Sequence, residues 1–159
     1  MNLRIGFGFD THKLVEGHPF QLGGIPVPHS KGAIGHSDAD VLIHAICDAL
    51  LGAANLRDIG FQFPDTNPEF KGIDSKILLK NTLDKLREEE YSIENVDSTI
   101  VLQSPKVSEH IPEMIRVLSG ILEIGEDRLS IKAKTSEKLG FIGREEGVSA
   151  YSVVLLFKE

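Results

Sequence analysis

The chain has 159 residues, 26% of them charged and 41% hydrophobic, with a formal net charge of −7. That length suits one domain with a sizeable core, expected to span 1–159, and the acidic balance without a lysine- or arginine-rich block argues against a long nucleic acid as partner. No apolar run approaches the ~20 residues of a membrane-spanning helix. Cys47 is the only cysteine, which rules out an internal disulfide, and strand-like sequence begins without a leader pattern, so a cytoplasmic location is expected.

The first predicted element is a strand over Ile5–His12. Side chains alternate along a strand, so Asp10 and His12 share a face where it ends, as a pair of potential metal ligands. Gly6 and Gly8 lie inside the strand and are read as permitting close packing rather than binding phosphate. Phe20–Val27 reads as a hairpin around Gly23-Gly24, with Pro26 and Pro28 confining its second arm to an edge. A helix capped by Ser37, with Asp38 and Asp40 in its first turn, is expected to run to about Leu51 and to bury Val41, Leu42, Ala45, Ile46, Ala49 and Leu50. His44 stands on its other stripe between Asp40 and Asp48. Two readings stay open there: a third metal ligand whose second nitrogen is held by one of those aspartates, or a solvated acidic face. Cys47 reads as a small buried side chain.

Arg57–Gly72 shows neither period and is rich in Gly, Pro, Asp and Asn, the composition of a functional loop or a disordered one; Phe61, Phe63 and Phe70 favour a surface-covering loop. A helix capped near Asp74 or Ser75 follows, with Ile77, Leu78, Leu83 and Leu86 toward the core. Asn95–Gln103 reads as a strand broken by Ser104-Pro105-Lys106, and the next helix starts near Pro112. Leu129–Lys134 is a strand, Thr135–Glu146 a glycine-punctuated loop, and Val148–Phe157 a closing strand.

No P-loop or dinucleotide fingerprint and no nucleophile elbow is present. What remains is a ligand set with loops carrying Asp, Glu, Lys and Arg, which suits metal-assisted chemistry at phosphate. Asp10-Thr11-His12, His36-Ser37-Asp38-Ala39-Asp40 with His44, Asp58-Ile59-Gly60, Phe63-Pro64-Asp65-Thr66, Phe70-Lys71-Gly72 with Asp74-Ser75, Pro105-Lys106, His110-Ile111-Pro112, Lys134-Thr135-Ser136-Glu137-Lys138-Leu139-Gly140-Phe141 and Gly143-Arg144-Glu145-Glu146-Gly147 follow one another in order. As a series they resemble the 2-C-methyl-D-erythritol 2,4-cyclodiphosphate synthase family of the non-mevalonate isoprenoid pathway, over essentially the whole chain.

The resemblance implies conversion of 4-diphosphocytidyl-2-C-methyl-D-erythritol 2-phosphate into the cyclic diphosphate with release of CMP, a phosphorus–oxygen lyase reaction. It implies a zinc-like ion at Asp10, His12 and His44, and a second divalent ion, magnesium or manganese, placed with help from Glu137. His36 and Thr135 match the catalytic positions, and Ser37 lies beside the phosphates. Asp58, Ile59 and Gly60, with Phe63, Pro64, Asp65, Thr66 and Asn67, match the methylerythritol segments. Leu102, Gln103, Ser104, Pro105, Lys106, Val107 and Ser108, with Lys134, Thr135 and Ser136, match the walls of the cytidine pocket. Phe141 and Arg144 match positions lining a central cavity that accepts isoprenoid diphosphates in parts of the family. The fold implied is α+β, a mixed sheet with helices on one face in a ferredoxin-like βαβ arrangement, assembled as a homotrimer with active sites between subunits.

Bland readings stand beside some of these. Asp38 and Asp40 are candidates for helix-start charges only, Lys106 for a plain surface lysine, and Arg144 for a partner of Glu145 or Glu146. His110 reads as structural, and His18 and His29 as exposed turn residues. Asn67 stands where a carboxylate is expected, and Gln103-Ser104 replaces smaller residues. The rival functions are a zinc phosphohydrolase using a metal-bound water and a non-catalytic module binding isoprenoid or nucleotide ligands.

Overall fold

A computed structural model describes residues 2–158. Its backbone is a five-stranded mixed sheet in the order β4-β1-β7-β5-β6. Strand β1 (Asn2–Glu16) pairs antiparallel with β7 (Gly147–Lys158) along Asn2–Lys13, and with the short β4 (Lys31–Ile34) along Lys13–Glu16. Strand β5 (Ser92–Val101) runs antiparallel to β7 and parallel to β6 (Leu129–Lys134). The parallel pair needs a crossover, and α4 (Ile111–Leu122) supplies it. Strands β2 (Gln21–Leu22) and β3 (Ile25–Pro26) form the expected hairpin as a separate two-stranded sheet.

Three longer helices cover one face, as expected. Helix α1 (Val41–Ala53) lies on β1 and β7, α3 (Ser75–Glu88) packs on α1, and α4 packs on α3 and β6. The cause is visible in β1. Its even positions Gly6 and Gly8 are buried beneath α1, while Leu3, Ile5, Phe7 and Phe9 point to the opposite, exposed face. A Cβ built on Gly6 would lie 1.9 Å from the carbonyl oxygen of Ala49, and one on Gly8 would lie 1.9 Å from that of Ala45. The glycines therefore admit the helix backbone, as the sequence suggested. Helix α1 is apolar nearly all round because the hairpin, α3 and the sheet enclose it, and Ile43 and Leu51 join the anticipated core. Cys47 is fully buried there, and burial pushes its thiol up to about 12.

Several boundaries differ from expectation. Strand β1 continues past His12 to Glu16, so Asp10 and His12 lie within it. Helix α1 starts at Val41, capped by Asp40, because Ala39 takes a φ of 59° that no right-handed helix continues through. Asp40 is fully buried; its Oδ1 accepts from the N–H groups of Gly23 (3.0 Å) and Ile43 (3.1 Å), and its Oδ2 from that of Gly24 (2.7 Å). One carboxylate thus fastens the hairpin turn to the helix start. Segment 57–72 holds a helical turn, α2 (Ile59–Gln62), capped by Asp58, and a 3₁₀ turn over Pro68–Phe70 capped by Asn67. In α3, Ile77 is exposed and Leu79 and Thr82 are buried in its stead. A last helical turn, α5 (Gly140–Gly143), precedes β7.

Across the sheet, Thr11 of β1, Ser149 of β7, Val101 of β5 and Lys134 of β6 occupy one transverse row. The C-terminal ends of β5 and β6 thereby lie level with the part of β1 that carries Asp10 and His12.

Candidate metal centre and adjoining cavity

Asp10 and His12 project from the helix-covered face of β1, and His44 meets them from the first turns of α1. Among the described residues these three place one ligand atom each within 4.8 Å of one another. The contacts are closer still: His44 Nδ1 is 2.9 Å from Asp10 Oδ2, His12 Nε2 is 2.9 Å from the same oxygen, and the two ring nitrogens are 3.0 Å apart. The outward atoms are already engaged. Asp10 Oδ1 accepts from the N–H of Thr11 (2.8 Å), and His12 Nδ1 lies 3.1 Å from the carbonyl oxygen of Ile34, to which it can only donate. With both imidazoles neutral and their protons on the outer nitrogens, two lone pairs and a carboxylate oxygen turn inward. In that state the triangle holds acceptors only and suits a cation at its centre; two His and one carboxylate are a familiar zinc-ligand set that leaves a further position open.

Without an ion, the rings can turn N–H groups to the carboxylate instead. Burial alone would raise the Asp10 carboxyl, but hydrogen bonds from His12 and His44 outweigh that and hold it well below the usual carboxylate range. Burial likewise works against a charged His12, yet Asp10 and the Ile34 carbonyl raise it overall. The aspartates flanking His44 along its helix do not serve it, contrary to the expectation that one would hold its second nitrogen. Asp40 faces the hairpin, and Asp48 Oδ1 accepts from the N–H of Ile59 (2.8 Å); burial raises the Asp48 carboxyl. Nε2 of His44 instead lies 3.0 Å from Ser75 Oγ and 2.9 Å from Ser37 Oγ. Ser37 is consequently part of the site rather than the helix cap.

The triangle opens into a cavity of about 200 Å³. His36, Ser37, Asp48, Ile59, Gly60, Phe63 and Asp65 line it together with the three ligands, and Phe70, Ile73 and Leu78 close the wall. Of the last three, Phe70 carried a signal as an aromatic of the surface-covering segment, whereas Ile73 carried none and Leu78 read only as a core position of its helix. Phe63 is nearly buried and meets Phe70 edge-on at 5.5 Å between ring centroids. Asp58 caps α2 through Phe61 N–H, while Pro64, Thr66 and Asn67 belong to the same segment without lining the cavity.

A second cavity, about 160 Å³, is lined by Leu102, Gln103, Pro105, Lys106, Val107, Ser108, Lys134 and Thr135; Ser104 sits in the same turn and Ser136 just beyond it. Thr135 Oγ1 donates to Glu137 Oε1 (3.0 Å), and Gln103 Oε1 accepts from Lys138 N–H. The two cavities share no lining residue, so within one chain His36 and Thr135 do not meet. Phe141 borders a third recess with Thr11, His12 and Lys13, and Arg144 pairs with Glu146 through two 3.1 Å contacts. No described helix is long and apolar enough to cross a membrane.

Fold and triangle together define an α+β protein with a three-ligand metal-binding centre beside a largely apolar cavity. The YgbB family model matches residues 3–157, and the chain belongs to the YgbB family. It is 59% identical over 153 residues to the 2-C-methyl-D-erythritol 2,4-cyclodiphosphate synthase of Porphyromonas gingivalis, covering 96% of this chain and 94% of that one. A solved 2C-methyl-D-erythritol-2,4-cyclodiphosphate synthase in a CDP-bound form superposes with a TM-score of 0.90 at 37% identity, over 97% of this chain and all of the other. IspF of Plasmodium falciparum in complex with CDP gives 0.87 at 34% identity, over 99% and 97% of the two chains.

Proposed function

We propose that this chain, as a single synthase domain over 1–159, converts 4-diphosphocytidyl-2-C-methyl-D-erythritol 2-phosphate into 2-C-methyl-D-erythritol 2,4-cyclodiphosphate and CMP. The observation that carries the reading is the ligand triangle of Asp10, His12 and His44 lining the cavity, in a chain whose relatives of that name match it nearly end to end. The substrate's own 2-phosphate oxygen attacks the β-phosphorus; the bond from that phosphorus to the oxygen bridging to the α-phosphate breaks, and CMP leaves with the bond electrons. The nucleophile is already anionic and tethered, which accounts for a site without an activated serine or cysteine. This assignment is to the phosphorus–oxygen lyases.

Asp10, His12 and His44 would hold a divalent ion of zinc type, which when bound would supply positive charge against the substrate's phosphates. His36 and Ser37 stand on the cavity wall within reach of the same phosphates, and Ile59, Gly60, Phe63 and Asp65 form a wall suited to the methylerythritol part. Glu137, whose carboxylate accepts from Thr135 Oγ1, would help hold a second ion, magnesium or manganese, when substrate is bound. The cavity at Leu102–Ser108 and Lys134–Thr135 takes the cytidine.

Those two half-sites are complementary if neighbouring chains contribute one each. The outer sheet face supports such an assembly: Ile5 is 75% exposed and Phe7 63%, with Leu3, Phe9, Tyr151 and Val153 beside them. An apolar face of that extent marks a protein interface, and we assign it to a homotrimer, in the cytoplasm, with Phe141 and Arg144 near its central cavity.

Phosphorus NMR of the cytidyl substrate incubated with the protein, with and without chelator, tests the reading. A cyclic diphosphate formed only without chelator is expected. A linear phosphate product would identify a metal-dependent hydrolase, and binding without turnover a ligand-binding module.

A further inference from the structure

We propose that Ser75 and Asp38 are positioning residues for His44, fixing its tautomer and thereby the affinity of the metal centre. The inference rests on the reading of Asp10, His12 and His44 as metal ligands. His44 is a bridge: Nδ1 faces Asp10 and His12, and Nε2 lies 3.0 Å from Ser75 Oγ. Ser75 is fully buried, so water does not compete for it. Its hydroxyl also donates to Asp38 Oδ1, and its N–H donates to Asp38 Oδ2 at 3.0 Å.

The single proton of the Ser75 hydroxyl goes to Asp38, so toward His44 Ser75 accepts. In this arrangement Nε2 carries the imidazole proton, Ser37 Oγ at 2.9 Å serves the same nitrogen as a second acceptor, and Nδ1 turns its lone pair to the ligand triangle. Asp38 also polarises the hydroxyl, which strengthens it as an acceptor. The arrangement resembles the outer shell around many metal-bound histidines, with a serine inserted between ring and carboxylate.

The same contact ties the centre to the cavity wall. Asp38 N–H donates to the Ile73 carbonyl (3.0 Å) and Gly72 N–H to that of His36 (2.8 Å), so residues 36–38 and 72–75 are stitched together. Ser75 opens α3, and its N-cap is Asp74, whose side chain serves Lys76 N–H. Ser75 is thus not needed as the helix cap.

The test uses the metal-stripped full chain, zinc titration against a chromophoric chelator, and ¹⁵N NMR of the His44 ring. Ser75→Ala is expected to weaken zinc by about 10–100-fold and to erase the Nε2–H tautomer signature while the circular dichroism spectrum stays unchanged. Ser75→Thr, which keeps the hydroxyl, is expected to restore both; Asp38→Asn is expected to weaken zinc in the same direction. Undiminished zinc affinity in Ser75→Ala, or a parent ring protonated on Nδ1, overturns the inference and leaves the metal reading standing. A parent protein that takes up no zinc overturns the metal reading itself. Should Ser75→Ala not fold, the affinities of Asp38→Asn and Ser75→Thr decide: both equal to the parent's with the tautomer unmoved in Asp38→Asn overturns the inference.

Discussion

Gly8 runs so close beneath α1 that a Cβ in its place would lie 1.9 Å from the carbonyl oxygen of Ala45. Ala45 adjoins His44, and Gly8 lies two residues before Asp10 on the same strand face. The separation of sheet and helix at this point is therefore also the separation of the metal ligands. Gly8→Ala must push backbone from backbone. We expect a loss of about 1–3 kcal/mol in stability by urea denaturation, together with weaker zinc binding by chelator competition. A variant as stable as its parent, with equal zinc affinity, would remove the close approach as a determinant of the site.

Metal affinity should climb with pH through the histidine range. Both imidazoles must be neutral to act as ligands, and His12 is raised above 6.5 in the metal-free protein because Asp10 outweighs its burial. Protons therefore compete with the ion below that raised value. The metal-free fold carries the opposite sign: the raised His12 contributes stability that is fully present below the unfolded value near 6.5 and is lost as pH rises through the folded one. Chelator competition between pH 6 and 8.5 should show steady tightening; a flat profile would exclude His12 as a ligand.

The thiol of Cys47 should be silent. It is fully exposure-free in the core and pushed up to about 12 by burial, so thiolate is scarce at pH 8. Ellman's reagent is expected to react with one thiol per chain in denaturant and with none in the native protein. Rapid native labelling would place Cys47 at a surface.

Phe7 is 63% exposed and sits opposite Val153 in the β1–β7 register, at the middle of the apolar outer face. Phe7→Glu should dissociate the assembly, since covering the face would then bury an unpaired carboxylate. Light scattering behind size-exclusion chromatography reads the outcome. An unchanged mass would move the interface elsewhere.

The sequence announced those parts of the site that lie close together along the chain. Asp10 and His12 are two apart on a strand and His44 stands on a helix with clear apolar spacing, which period alone shows; Gly6 and Gly8 marked a close approach by their missing side chains, and the joining of the three ligands into one set came from the family resemblance, since His44 by itself left a solvated acidic face open. The register across the sheet and the support of His44 were not. Asp40 and Asp48 share a helical face with His44, yet backbone N–H groups of Gly23, Gly24 and Ile59 claim them. Those partners arrive through tertiary folding, which no helical wheel contains. Ser75 is 31 residues from His44 and reads locally as an ordinary helix start. The short strand β4 was missed because four residues beside Ser30 and Gly35 carry too little alternation to stand out, and it is pairing with Lys13–Glu16 that makes them a strand. The turns α2 and Pro68–Phe70 exist through their Asp58 and Asn67 caps within a segment that lacks a period.

The transverse row from Thr11 through Ser149 and Val101 to Lys134 works as a ruler. Adjacent strands lie about 4.8 Å apart, so three spacings fix roughly 14 Å between the strand of the metal ligands and the strand that leads into Thr135. That length is set by the number of strands and by continuous backbone hydrogen bonding; side-chain substitutions cannot stretch it. Both half-sites of a chain therefore keep one constant separation on a rigid frame. With neighbouring chains completing each site, the length of substrate that fits is decided by how the subunits meet, and the sheet only carries that geometry faithfully from one junction to the next.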